Sequence, residues 1–278
     1  MERSKKNNIS ILCAIIIACL NGVAVSAQVD NQSSTTVNSS TTINEFSTDF
    51  FILTTQDKIL TRPYFSKNAP LSEIKIADSK NFTGASTIEE YNVESISDCS
   101  NKRIYILKKS TSTTDNNQYL DVIQYDDSKK FTRINRISEI FNKATSASLD
   151  WTTGNIYWIE HDKEAYRYSI KFTNKLFEEP QYIIQPAKMS MVKIQVYPKR
   201  NEIFFSDKTN IWYTSTLPNS TANLLFSSST DDTWENLFGV FDFVIDYAHD
   251  RLWWNDVTTL CKYFLFLLLT HCQYEREN

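Results

Sequence analysis

The sequence predicts an all-β fold of the β-propeller class, and three observations predict it. From residue 46 onward the apolar residues fall in short clusters of Ile, Val, Leu, Tyr, Phe and Trp separated by polar turns, with no sustained helical period. A motif recurs in which an anchor (Asp98, Asp150, Tyr197, Asp246) stands six residues before an aliphatic residue (Ile104, Ile156, Ile203, Leu252) that an aromatic follows directly. The anchors lie 52, 47 and 49 residues apart, close to the ~40 to 50 residues of a four-stranded blade. The run after each turn, such as Ile156, Tyr157, Trp158 and Ile159, is apolar on both faces, as a strand sandwiched between neighbouring sheets must be.

At the N-terminus, Arg3, Lys5 and Lys6 precede an apolar stretch over 9–20 and small residues at Val25, Ser26 and Ala27. Residues 1–27 therefore predict a cleaved secretory signal peptide, since an apolar run of about 12 residues falls short of the roughly 20 that a spanning helix needs. Residues 28–45 are rich in Ser and Thr, with almost no large apolar side chain, and predict a flexible leader. The first unit is expected from strands at 50–53 and 58–62. The next four carry the motif at 97–107, 149–160, 196–207 and 245–256, with further strands at 166–170, 211–214 and 260–264. The propeller is thus expected over 46–270, followed by a polar tail at 271–278.

Two motif segments, LDWTTGNIYWIE at 149–160 and IDYAHDRLWWND at 245–256, resemble the YWTD repeat of low-density lipoprotein receptor class B. That family forms six-bladed propellers in endocytic receptors, nidogen and Wnt co-receptors. The likeness spans roughly 46–268 and departs from the family at several points: the literal tetrad is absent, Tyr197 stands for an anchoring Asp, and Lys108 stands where an acid is expected. The resemblance implies a YWTD-type propeller with five blade-like units visible where the family closes with six, hence an incomplete one, whose open edges would drive association. It also implies an extracellular protein-binding module of lipoprotein-receptor type with a protein ligand, no enzymatic activity and no cofactor. A reading from another class is a calcium-dependent, lactonase-like propeller hydrolase with a metal at the central channel.

Composition narrows the chemistry. The formal charge is −4, from 29 Lys and Arg against 33 Asp and Glu, so no basic field exists to draw nucleic acid. The four glycines stand singly, which excludes a dinucleotide fingerprint, a P-loop and a nucleophile elbow. Among three His (His161, His249, His271) there is no zinc motif, and exposed loop positions are expected for the first two. The acidic pairs Asp126–Asp127 and Asp231–Asp232 read as hydrated loops rather than calcium ligands. Glycosylation sequons stand at Asn31, Asn38, Asn81 and Asn219. Past the leader, Cys99, Cys261 and Cys272 allow at most one internal disulfide and leave its pairing open. No later apolar segment is long enough to span a membrane. The acids Asp98, Asp150, Glu160, Asp207, Asp246 and Asp256 recur unit after unit, the mark of a structural hydrogen-bonding role, and Tyr157, Trp158, Trp253 and Trp254 are expected to pack between blades. Trp234, in a polar segment, is the candidate exposed contact.

Overall fold

The computed structural model describes residues 17–18, 50–55, 57–63, 70–80, 90–111, 117–227, 240, 242–247, 249–255 and 260–264. Within them the chain is built almost wholly of β-strands, in five sheets. The first sheet orders β1 (Ile17–Ala18), β2 (Phe50–Thr54), β3 (Ile59–Pro63) and β4 (Ser72–Glu73). The second orders β6 (Glu90–Asp98), β7 (Arg103–Ser110), β8 (Gln118–Tyr125) and β9 (Phe131–Ile137), with β5 (Ile76–Asp78) added parallel to β9 at the outer edge. The third contains β10 (Ala144–Asp150), β11 (Asn155–Asp162), β12 (Arg167–Thr173) and β13 (Gln181–Ala187). The fourth contains β14 (Lys193–Tyr197), β15 (Glu202–Ser206), β16 (Asn210–Ser215) and β17 (Asn223–Ser227), and the fifth β18 (Asp242–Asp246), β19 (Arg251–Asn255) and β20 (Leu260–Phe264). Apart from β5, neighbours run antiparallel in sequence order, the up-and-down meander of a propeller blade. Ile17 and Ala18, inside the expected signal peptide, pair with Ile52 and Phe51. Residues 28–45 and the tail at 271–278 lie outside the described residues, as do Asn31, Asn38, Asn81, Asp231, Asp232, Trp234, Asp256, His271 and Cys272.

Each anchor acid organises the turn between the first two strands of its sheet. Asp98 accepts from the backbone N–H and side-chain amide of Asn101. Asp150 accepts from the N–H groups of Thr152 and Thr153 and from the Thr152 hydroxyl, and Asp246 accepts from the His249 N–H. These are Asx turns, which hold the chain while it reverses. The Asp150 turn ends at Gly154 with φ +79°, where any side chain is strained, and a Cβ there would also crowd the Lys175 Cβ at 3.2 Å. At the fourth sheet Tyr197 has no such acceptor. The turn is instead a short 3-10 helix, Pro198–Arg200, closed by Asn201 in the left-handed region, and the Tyr197 hydroxyl donates to Asp250.

Alternation along the strands sends successive side chains into opposite seams. On β7, Ile104 and Ile106 pack with Ile52, Ile59 and Ile74 toward the first sheet, whereas Tyr105 and Leu107 pack with Leu149, Ile156 and Trp158 toward the third. Tyr157 and Ile159 join Ile194, Val196 and Phe205 between the third and fourth sheets. Trp254 and Leu252 join Tyr197 and Phe204 between the fourth and fifth. Among the described residues, five sheets are therefore joined by four apolar seams, as in an arc. Trp253 pairs across the strands with Val244, on the face of the fifth sheet turned away from the fourth, and is half-buried there.

Candidate functional site at the axis

The first strands of the second to fifth sheets, β6, β10, β14 and β18, lie side by side in that order. Counting back four residues from each anchor gives Glu94, Ser146, Lys193 and Asp242, one from each strand. At these positions and those two residues nearer the anchor, four side chains, Glu94, Ser146, Ser148 and Gln195, follow a rule. Glu94 accepts from the Ala147 N–H at 2.9 Å, and Ser146 from the Ile194 N–H at 3.2 Å. Ser148 accepts from the Val196 N–H at 3.0 Å, and Gln195 from the Ile245 N–H at 2.8 Å. In each case a side chain on one inner strand satisfies a backbone donor on the inner strand of the next sheet. Inner strands have a free edge, and an unmet buried N–H costs about 1 to 3 kcal/mol, so these contacts stitch the sheets together where no ladder can.

Lysine cannot accept a hydrogen bond, and at Lys193 the rule changes. The Phe243 N–H that would need an acceptor is met by Asp242 at 2.8 Å instead. The freed ammonium ion-pairs with Glu94 on one side and, at 3.7 Å, with Asp242 on the other. Glu94 also accepts from the Ser146 hydroxyl at 2.8 Å, closing a cluster across four inner strands. Burial pulls the Lys193 ammonium down, yet the two carboxylates outweigh it and hold its pKa above the ordinary value. Burial pushes the Asp242 carboxyl up, against the pull of Lys193. Lys193 thus supplies the positive charge that a bound cation would supply to these acids.

At the anchor end of the same strands, Trp151 and Tyr247 meet edge to face with centroids 4.5 Å apart, although they belong to the third and fifth sheets. Tyr247 stacks on Tyr197 and donates its hydroxyl to the Val196 carbonyl at 2.9 Å. Burial pushes its phenol up, so it remains a donor at any physiological pH. Trp151, one residue past its anchor, is 41% exposed and braced by this group.

The other expected positions are scattered. Trp158 and Tyr157 are buried in separate seams. Glu160 pairs with Lys171 at 2.8 Å, and Asp207 accepts from Thr209, Asn210 and the Trp212 indole. Asp126 caps its own loop and Asp127 pairs with Lys102. His249 bonds Asp246 at 2.8 Å, and His161 stacks on Tyr168. Asn219 is exposed in the turn between β16 and β17, with φ 58°. Cys99 is disulfide-bonded. Among the described residues no three His, Cys, Asp or Glu side chains converge as a metal-ligand set, and no helix is long and apolar enough to cross a membrane. The axial cluster escaped the motif reading, because the shared register of Glu94, Ser146, Lys193 and Asp242 appears only when one counts backward from the anchors.

No family model matches the chain, and no curated protein matches it in sequence. Solved structures do resemble it. A nidogen–laminin complex matches with TM-score 0.54 at 14% identity, covering 78% of this chain and 74% of that one. A protein of unknown function from Bacteroides thetaiotaomicron matches with TM-score 0.53 at 12% identity, over 78% of this chain and 52% of that one. The hydrazine synthase of Kuenenia stuttgartiensis matches with TM-score 0.51 at 12% identity, over 77% and 60%. At such identities the likeness shows the fold, a β-propeller, and nothing finer.

Proposed function

We propose that the chain is a secreted, non-enzymatic, protein-binding propeller of YWTD type, akin to low-density lipoprotein receptor class B. The observation that carries the reading is the braced Trp151. A large aromatic, partly exposed and already held by Tyr247, loses little freedom on contact and has the character of an interface hot spot. The repeat motif, the signal peptide expected over 1–27 and the sequons support the class and the compartment, and one similar structure is that of nidogen in complex with laminin. The hydrolase reading has less behind it, since the axial acids Glu94 and Asp242 already share the Lys193 ammonium.

Capture from extracellular fluid by the immobilised chain tests this. We expect a protein recovered by the wild type and by Tyr166→Ala, a change at an exposed residue of the β11–β12 turn, and lost with Trp151→Ala. Equal recovery by all three would remove the basis of the reading. Calorimetric titration with calcium separates the second reading, for which single-site micromolar uptake is required.

A further inference from the structure

At the opposite end of the inner strands from Trp151, in the seam between the second and third sheets, lies a cleft of about 220 Å³. It is formed where β8 begins, where β10 begins and where β11 turns into β12. Its wall includes three side-chain amides, Asn117, Gln118 and Asn142, and the Thr145 hydroxyl. Gln118 is only 6% exposed, and among the described residues no protein group hydrogen-bonds its side-chain amide. An amide with no protein partner is left to bond whatever fills the space beside it, and here that space is the open cleft.

The remaining wall selects against charge. Lys143 and Lys163 are matched by Asp162 and Glu164, and Lys143 reaches Asp162 at 3.6 Å. The flat side of the cleft is the His161 ring, backed by Tyr168 at 4.1 Å with the two planes 4° apart. Burial, with Lys163 beside it, pulls the His161 pKa down, so at neutral pH the imidazole is uncharged and both donates and accepts. The lining carries no large aliphatic side chain.

We propose that this cleft binds a single neutral sugar ring. Hydroxyl groups both donate and accept, as do amides, a threonine hydroxyl and a neutral imidazole. The balanced charges do not favour an ion, and the volume falls below the ~300 to 1,000 Å³ of sites for larger ligands. The site is independent of the Trp151 surface, so either can fail alone.

Saturation-transfer NMR on the full chain tests it, with methyl α-glucopyranoside, methyl β-galactopyranoside, methyl α-mannopyranoside and N-acetylglucosamine as probes at about 1 to 10 mM, the range of weak single-site binding. We expect transfer to at least one probe and a roughly tenfold loss with Gln118→Leu at an undiminished melting temperature, because the leucine breaks no hydrogen bond within the protein. A merely structural Gln118 would lower the melting temperature instead. If Gln118→Leu does not fold, His161→Phe, which keeps the stack on Tyr168 and removes both ring nitrogens, decides in the same way. Absence of transfer to all four probes, or transfer unchanged in the folded variant, overturns the proposal.

Discussion

Trp158 and Lys193 are both buried, and they fail in different ways when replaced. The Trp158 ring packs 4.7 Å from Phe141, while its indole N–H has no partner among the described residues. Trp158→Ser therefore leaves a cavity and should cost about 3 to 5 kcal/mol, and Trp158→Phe should cost less, since no hydrogen bond goes with the indole. Chemical denaturation of both variants checks the order. Lys193→Met leaves the half-buried Glu94 and Asp242 carboxylates without the ammonium they share and should cost about 3 kcal/mol at neutral pH, the low end for a broken buried pair. The lysine's folded pKa lies above its unfolded value of 10.5, so its stabilisation is complete below that value and fades as the pH rises through the folded one. The gap in melting temperature between wild type and Lys193→Met should accordingly be constant from pH 7 to 9 and shrink in stronger alkali. A constant gap throughout would show that the ammonium does not carry the effect. At the surface, the exposed Asn219 should accept a glycan in a secretory host, read as a mobility shift that glycosidase and Asn219→Gln both abolish.

Among the elements, the second sheet is polarised along its length. Near the anchor end its face toward the first sheet is apolar, with Ile104, Ile106 and Ile123. Toward the other end the same strands carry Lys108, Asp121, Arg133 and Arg136, which with Glu90 form an ionic ladder across four strands. Asp121, at 1% exposure, receives Arg136 at 2.7 Å and Arg133 at 3.1 Å, and Arg133 reaches on to Asp78 of β5. Asp121→Asn should therefore destabilise by about 3 to 5 kcal/mol, measured by urea denaturation, whereas a lone surface pair such as Lys58 with Glu73 should be worth less than about 1. Periodicity made β11, β15 and β19 legible in the sequence, because a short strand with apolar side chains on both faces is stable only between two sheets. The ladder on β6 to β9 was not legible: charged residues on a strand read as solvent-facing until their partners across the sheet are known. Lys108, which departs from the family motif, is the clearest instance, since its departure is what places it between Glu90 and Asp121. The axial stitches were hidden for a related reason. Ser146, Ser148 and Gln195 look like ordinary polar strand residues, and the N–H groups they satisfy lie about 50 positions later in the chain.

For the whole molecule, five described sheets and four described seams leave Val244, 40% exposed, and Trp253 on a face of the fifth sheet that no other described sheet covers. Apolar sheet faces of this kind promote association. Sedimentation of the purified chain should show concentration-dependent oligomers, and Val244→Lys should shift it toward monomer. A monodisperse wild type with a cooperative melt would mean that the face is covered.

The stitches at the axis all point one way, since the acceptor always belongs to the earlier sheet and the donor to the later. During synthesis the ribosome adds about 5 to 20 residues per second, so the interval between one sheet and the next is several seconds, whereas a hairpin closes in about 1 to 10 microseconds. Each sheet thus has time to form and present Glu94, Ser146, Ser148 or Gln195 before the strand that needs it has emerged. That order lets the growing chain close like a zip whose teeth are set in advance, each finished sheet offering the acceptors that its successor needs.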